Sequence, residues 1–144
     1  MITNAGQILF FDDYLNESQT FLLLLEQMAI RRGLKVIEEK LVHKVEEYLR
    51  SEPFEAVILD VMASRHGRTD RRAGLHILQD CRAGRFGRTN QRALIFMRTA
   101  RGDVHIKQDA LEFGADRYFD KGGEEASLVV GEIERAIVRR REKR

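Results

Sequence analysis

The sequence predicts an α/β fold in which a parallel sheet is covered by helices on both faces. Three observations predict it. Short apolar runs recur along the chain, ILFF, AVIL, ALIFM and RYF, long enough for buried strands and too short for buried helices. Between them lie segments with apolar residues three and four apart, the period of an amphipathic helix. Finally, each run closes on polar residues: Asp12 and Asp13, Asp60, Thr99, and Lys121. Strands that alternate with helices imply a parallel sheet with right-handed crossovers. Such sheets gather their functional groups at the C-terminal edge of the strands.

The elements follow in order. Residues 7–11 form the first strand. A helix is expected from about Glu17 to Arg31, capped by Asn16 or Ser18, with Phe21, Leu24, Leu25 and Met28 on one face. Gly33 ends it. Residues 35–38 form a short second strand and 42–50 a second helix, which Pro53 keeps from running on. Residues 56–61 are the strongest strand. From Met62 to Ala73 the chain is polar, rich in arginine and without periodicity, so a loop is expected. A third helix covers 75–82, and a glycine- and arginine-containing stretch, 83–92, leads to the fourth strand, 93–98. Asp103 can cap a fourth helix, 104–113, closed by Gly114. The last strand is 117–119 and the last helix 124–140, with Val129, Val130, Ile133 and Ile137 facing inward. Five βα units of this kind predict a flavodoxin-like (βα)5 three-layer sandwich with strand order 2-1-3-4-5.

At 144 residues, 43% of them hydrophobic, with a single proline, the chain is expected to be one domain, 1–144, with a substantial core. The longest unbroken apolar run, Phe21 to Leu25, is far short of a membrane span. No export signal is read at the N-terminus. Cys81 is the only cysteine, which excludes an internal disulfide and fits a reducing cytoplasm. Its spacing from Leu75 and Leu78 predicts a buried thiol. The 25 basic and 23 acidic residues nearly cancel to +2, so net charge selects no partner. Distribution is more informative: basic residues concentrate in 65–92 and in the terminal RRREKR. A solvated loop and a helix end whose cations complement the dipole account for both. An acidic protein partner, nucleic-acid backbone and a kinase-docking surface are the alternatives. Only Phe86 is interleaved among these arginines, so a base-stacking surface is unsupported and nucleic acid is not expected.

The strand ends carry the chemistry. Asp12, Asp13 and Asp60 are expected to converge, and two carboxylates about 4 Å apart repel by about 4 kcal/mol at an effective dielectric near 20. Either one pKa rises or a cation sits among them. Hard oxygen ligands with room for water suit Mg²⁺, which can clamp the oxygens of a transferring phosphoryl group. Asp60 is a competent nucleophile for forming an aspartyl phosphate. Lys121 can pair with the added charge, and the Thr99 hydroxyl can donate to a phosphoryl oxygen. The bland alternative is a set of turn carboxylates with no metal. His43, His66, His76 and His105 show no ligand spacing and are read as surface or packing residues.

These residues, in this order, resemble the receiver domain of bacterial two-component response regulators, of which chemotaxis regulators are one form. The resemblance runs from about Gln7 to Arg140. It implies that Asp60 is the phosphoacceptor, that Asp12 and Asp13 are the acidic pair, and that Thr99 and Lys121 are the conserved hydroxyl and lysine of that family. It also implies Mg²⁺ held by Asp12, Asp13, Asp60 and the Met62 backbone carbonyl, and a switch formed by Thr99 and Tyr118. The implied partners are a sensor histidine kinase or phosphotransfer protein and a downstream protein. The latter would dock on the face made by the fourth helix, fifth strand and fifth helix. The resemblance further implies a cytoplasmic phosphoprotein that is not a turnover enzyme; no output domain is expected within the chain, and a homodimer is left open. Two departures stand out. Gly122 follows Lys121 where the family usually has proline. After Asp60, Ala63 and Ser64 stand where a Met-Pro pair is usual, and Gly74 comes about six residues late, leaving the surplus RHGRTDRR, 65–72. These departures favour the runner-up, a receiver-like interaction module that takes no phosphate. A phosphatase using Asp60 ranks last, because Met62 stands where its general acid would be.

Overall fold

The computed structural model describes residues 6–12, 18–61, 63–65, 68–70, 72–99, 104–121 and 125–143, with 63–65 and 68–70 described through their backbone. Strands β1 (Gln7–Phe11), β2 (Lys35–Glu39), β3 (Ala56–Asp60), β6 (Leu94–Thr99) and β7 (Arg117–Asp120) form one parallel sheet in the order β2-β1-β3-β6-β7. That is the doubly wound order the alternating pattern predicts. β3 and β6 are buried along their whole length, which explains why their sequences are apolar runs without alternation.

Helices close both faces. Leu9, Val57, Leu59, Ile95 and Met97 face α2 (Val42–Ser51) and α3 (Ala73–Arg82), and Ala110 of α5 (Val104–Glu112) joins the same cluster. Ile8, Phe10, Ile58 and Phe96 face α1 (Gln19–Arg31) and α6 (Ala126–Glu142). The anchors of α1 are Phe21, Leu25, Met28 and Ala29; Leu24 is partly buried against the same cluster. Val129, Val130, Ile133 and Ile137 anchor α6, as their spacing predicts. The residue-to-residue alternation of side chains along a strand divides every central strand between the two clusters. It also decides on which side each strand-end residue emerges.

Several expectations are corrected. The stretch after β3 is not a featureless loop: β4 (Ala63–Arg65) and β5 (Arg68–Asp70) pair antiparallel, with Ala63 opposite Asp70 and Arg65 opposite Arg68. His66 and Gly67 come between them in sequence and lie outside the described residues. β4 lies beside α2 and α3. The stretch 83–92 contains a one-turn helix, α4 (Arg88–Gln91). Its buried Asn90 accepts from Phe54 N–H at 2.9 Å and donates to Leu49 O and Glu52 O at 2.7 and 2.8 Å. Arg82 is not a solvated loop charge. It donates to the carbonyls of Gly114, Gln91 and Ala93 and pairs with Asp116 at 3.0 Å. α1 begins at Gln19, and the Ser18 hydroxyl makes no capping bond to it. Asn16 and Asp103 lie outside the described residues. Among the described residues no helix is long and apolar enough to cross a membrane.

Candidate functional site

Asp12 follows β1 and Asp60 ends β3, and these two strands are neighbours in the sheet. Phe11 and Leu59 point to the α2–α3 side, so alternation sends the next residue of each strand toward α1 and α6. The two carboxylates thus emerge on the same side of the same edge. Lys121 follows β7 and is pinned by its backbone N–H to Thr99 O at 2.8 Å. Its ammonium reaches across β6 to both carboxylates, 2.9 Å from Asp12 Oδ2 and 3.0 Å from Asp60 Oδ2. One cation thereby offsets the repulsion that the two acids would otherwise suffer. Asp12 is fully buried and Asp60 is 5% exposed, so this pairing takes place in low dielectric.

A fourth charged residue belongs to the site. Arg98 pairs in register with Asp60 across β3 and β6 and is buried. Its Nη1 donates to Asp12 Oδ2 at 3.2 Å and to Ser18 Oγ at 3.1 Å. Ser18 Oγ in turn donates to Asp12 Oδ2 at 2.6 Å. The guanidinium carbon sits 4.0 Å from the centre of the Phe21 ring, within cation–π range. Burial pulls the Arg98 pKa down, and the Asp12 and Asp60 carboxylates oppose that shift; the group stays charged at neutral pH. The sequence pattern missed Arg98 and Ser18. The available signal was an arginine inside a strand otherwise buried end to end, since a buried charge requires a partner. The missing capping bond at α1 has the same origin: the Ser18 hydroxyl is engaged by the acid.

Thr99 is buried at the end of β6, next to Arg98. Tyr118 is half-buried in β7, packed against the α2–α3–α5 cluster with its hydroxyl buried. Gly74, in the first turn of α3, donates to Val61 O at 2.9 Å. A Cβ there would stand 2.0 Å from the Asp60 carbonyl oxygen, so only glycine lets α3 approach the end of β3 this closely. Asp13, Met62 and Gly122 lie outside the described residues, so the full metal-ligand set and the bond after Lys121 lie outside them as well. Among the described residues no three acidic, histidine or cysteine side chains cluster as a metal site. The donors that are described, two carboxylates converging on one ammonium, are hard oxygens of the kind Mg²⁺ accepts. In donor chemistry they fit that ion. His43, His76 and His105 are exposed and take no part.

Two grooves among the described residues lie elsewhere. With volumes of about 410 and 380 Å³, they share Arg140 at the N-terminal edge of the strands. The shared ammonium, the burial and the converging carboxylates make the C-terminal edge the chemical site instead.

No protein-family model and no curated protein sequence matches the chain. Solved structures do. A CheY-like response regulator receiver domain protein from Methanospirillum hungatei JF-1 aligns over 98% of this chain and 100% of its own, with a TM-score of 0.76 and 17% identity. A two-component response regulator from Clostridium difficile aligns over 94% and 97%, with a TM-score of 0.70 and 18% identity. A response regulator from Burkholderia pseudomallei, solved with a phosphorylated aspartic acid, calcium ion and citrate, aligns over 91% of this chain and 72% of its own, with a TM-score of 0.61 and 20% identity. With 91–98% of this chain covered at TM-scores of 0.61–0.76, the chain has the fold of a response-regulator receiver domain.

Proposed function

We propose that the chain is a phosphoacceptor of two-component signalling, in which Asp60 receives a phosphoryl group from the phosphohistidine of a sensor kinase or phosphotransfer protein. The observation that carries this is the Lys121 ammonium shared by two buried carboxylates at the ends of adjacent strands. In the step, an Asp60 carboxylate oxygen forms a bond to phosphorus while the donor's P–N bond breaks. The bonding electrons return to the imidazole nitrogen, which is left neutral once it takes up a proton. Lys121 neutralises the incoming phosphoryl oxygens, and Thr99 supplies a hydroxyl donor. Mg²⁺, when bound, supplies further charge neutralisation at those oxygens; Asp12 and Asp60 would hold it, joined by Asp13 and the Met62 carbonyl. The chain carries the group instead of turning over a substrate.

The output surface is α5, β7 and α6. Val104 and Leu111 of α5 and Leu128 of α6 are exposed large apolar residues, a composition suited to a protein partner. The half-buried Tyr118 of β7 packs against the same cluster as Ile106 of α5 and is the residue that couples the surface to Thr99. Arg72, at the end of the inserted segment, pairs with Asp109 of α5 at 2.5 Å, which ties the insertion to the same surface. The second reading, a receiver-shaped module that takes no phosphate, is favoured by one observation: Arg98 already occupies Asp12. Incubation with acetyl phosphate and Mg²⁺, read by intact mass, separates the two. One added phosphoryl group, absent in Asp60→Asn, is expected. An unmodified wild-type mass, or equal labelling of Asp60→Asn, overturns the phosphoacceptor reading.

A further inference from the structure

The acidic pocket contains its own counter-ions. Its described carboxylates, Asp12 and Asp60, carry two negative charges; Arg98 and Lys121 carry two positive ones. Lys121 is on a flexible stem and bridges both acids. Arg98 is fixed more firmly: by the β3–β6 register, by hydrogen bonds to Asp12 and Ser18, and by the Phe21 ring beneath its guanidinium. A divalent cation bound by Asp12 and Asp60 therefore meets a guanidinium already bonded to one of them. The two cations repel, and a retreat of Arg98 from Asp12 would leave a buried charge unpaired.

We propose that Arg98 is a resident counter-ion that competes with Mg²⁺ for Asp12, weakening metal binding and setting how strongly the pocket depends on metal. This rests on the phosphoacceptor reading only for its consequence in phosphoryl transfer; the competition itself is a property of the pocket. Arg98 acts through Asp12 and is a positioning residue. It holds the acid in place and half-neutralised when no metal is bound, the task that otherwise falls to the divalent ion.

The test compares Arg98→Gln, Arg98→Met and Arg98→Lys with the wild type by calorimetric titration with Mg²⁺. Gln retains hydrogen-bonding capacity toward Asp12 and Ser18 without charge, Met retains length and apolar contact with Phe21, and Lys restores the charge. The uncharged variants should bind Mg²⁺ at least tenfold more tightly than the wild type. Their melting temperatures should be lower in chelator and recover with Mg²⁺. Arg98→Lys should stay within about threefold of the wild type. If Arg98→Met does not fold in chelator, Arg98→Gln carries the comparison, and Arg98→Lys shows whether charge is the cause. Unchanged or weaker Mg²⁺ binding in the folded uncharged variants overturns the proposal, as does equal tightening in Arg98→Lys. Acetyl phosphate labelling of Asp60 is scored separately. Tighter Mg²⁺ binding in a protein that never takes phosphate would sustain the counter-ion role and refute the phosphoacceptor one. Labelling without any change in metal affinity would do the reverse.

Discussion

At the residue scale the chain places polar side chains in the interior wherever a partner is fixed by neighbouring backbone. Asp12 is the extreme case, with Ser18, Arg98 and Lys121 all directed at one carboxylate oxygen. The anticipated cost of crowded carboxylates is met by two side-chain cations, one of which, Arg98, no strand-end pattern revealed. Cys81 is a quieter example. Its thiol donates to Asn90 O at 3.0 Å, and burial pushes its pKa from 9.0 up to about 11. The folded state therefore favours the protonated thiol. That contribution is complete below pH 9 and is lost as pH rises through about 11. Urea denaturation of the wild type and Cys81→Ala should give a stability difference that is constant up to pH 9. It should then shift against the wild type by about 2 kcal/mol by pH 11. A difference independent of pH would mean that the thiol is not held protonated by the fold. The buried thiol matches the sequence expectation; its hydrogen bond depended on α4, which the sequence did not reveal.

At the element scale the junction of β3 and α3 decides whether Asp60 is presented correctly. The first turn of α3 rests on the end of β3 through the Gly74–Val61 hydrogen bond. The space a Cβ would need is taken by backbone atoms of Asp60 and Val61, which cannot rotate away as a side chain would. Gly74→Ala should therefore cost about 2–4 kcal/mol, more than ordinary overpacking, despite the higher helix propensity of alanine. Chemical denaturation measures the loss, and acetyl phosphate labelling should slow as the strand end is displaced. A neutral or stabilising effect would show that α3 can slide along its axis at no cost. The antiparallel pair β4–β5, just before this junction, takes up part of the surplus that makes Gly74 late in sequence, and Gly74 still stands against the end of β3.

At the scale of the whole molecule, the C-terminal helix is tied to the far edge of the sheet. Arg141 donates from Nε and Nη2 to Glu55 at 2.6 and 2.9 Å and from Nη1 to Arg32 O at 2.9 Å. The hydrogen bond to Glu55 raises the Arg141 pKa, so the pair persists wherever the carboxylate is ionised. Glu134 adds bonds from α6 to Arg31 and Arg32. Arg141→Ala should lower stability by about 1–3 kcal/mol, because a bidentate pair is lost and the largely buried Glu55 carboxylate is left behind. Glu55→Gln together with Arg141→Ala should recover part of that loss. Hydrogen exchange should locate the loosening at the end of α6 and the start of β3. Exchange unchanged there would mean that apolar packing of Ile133 and Ile137 alone holds the helix. Arg140 joins the same corner by donating to Arg92 O at 2.5 Å. Two basic runs that are nearly fifty residues apart in sequence thus meet on one surface, at the end of the sheet opposite the Asp12–Asp60 pocket.

The sequence by itself determined the layer architecture, because strand and helix periods are local, and short strand-forming runs separated by amphipathic helices admit one economical winding. It also determined that Asp12, Asp60 and Lys121 share an edge: in a parallel sheet every strand's last residue lies on the same side of the molecule. Only the tertiary structure decided which charges meet. Arg98 faces Asp12 because strand register and alternation put both toward α1, and Ser18 joins them because α1 starts one residue later. Arg82 holds three carbonyls because α3 passes the turns before β6 and β7. The partner of a charged side chain is set by distances across the fold, to which a local pattern of polarity is blind; burial then makes that partner obligatory.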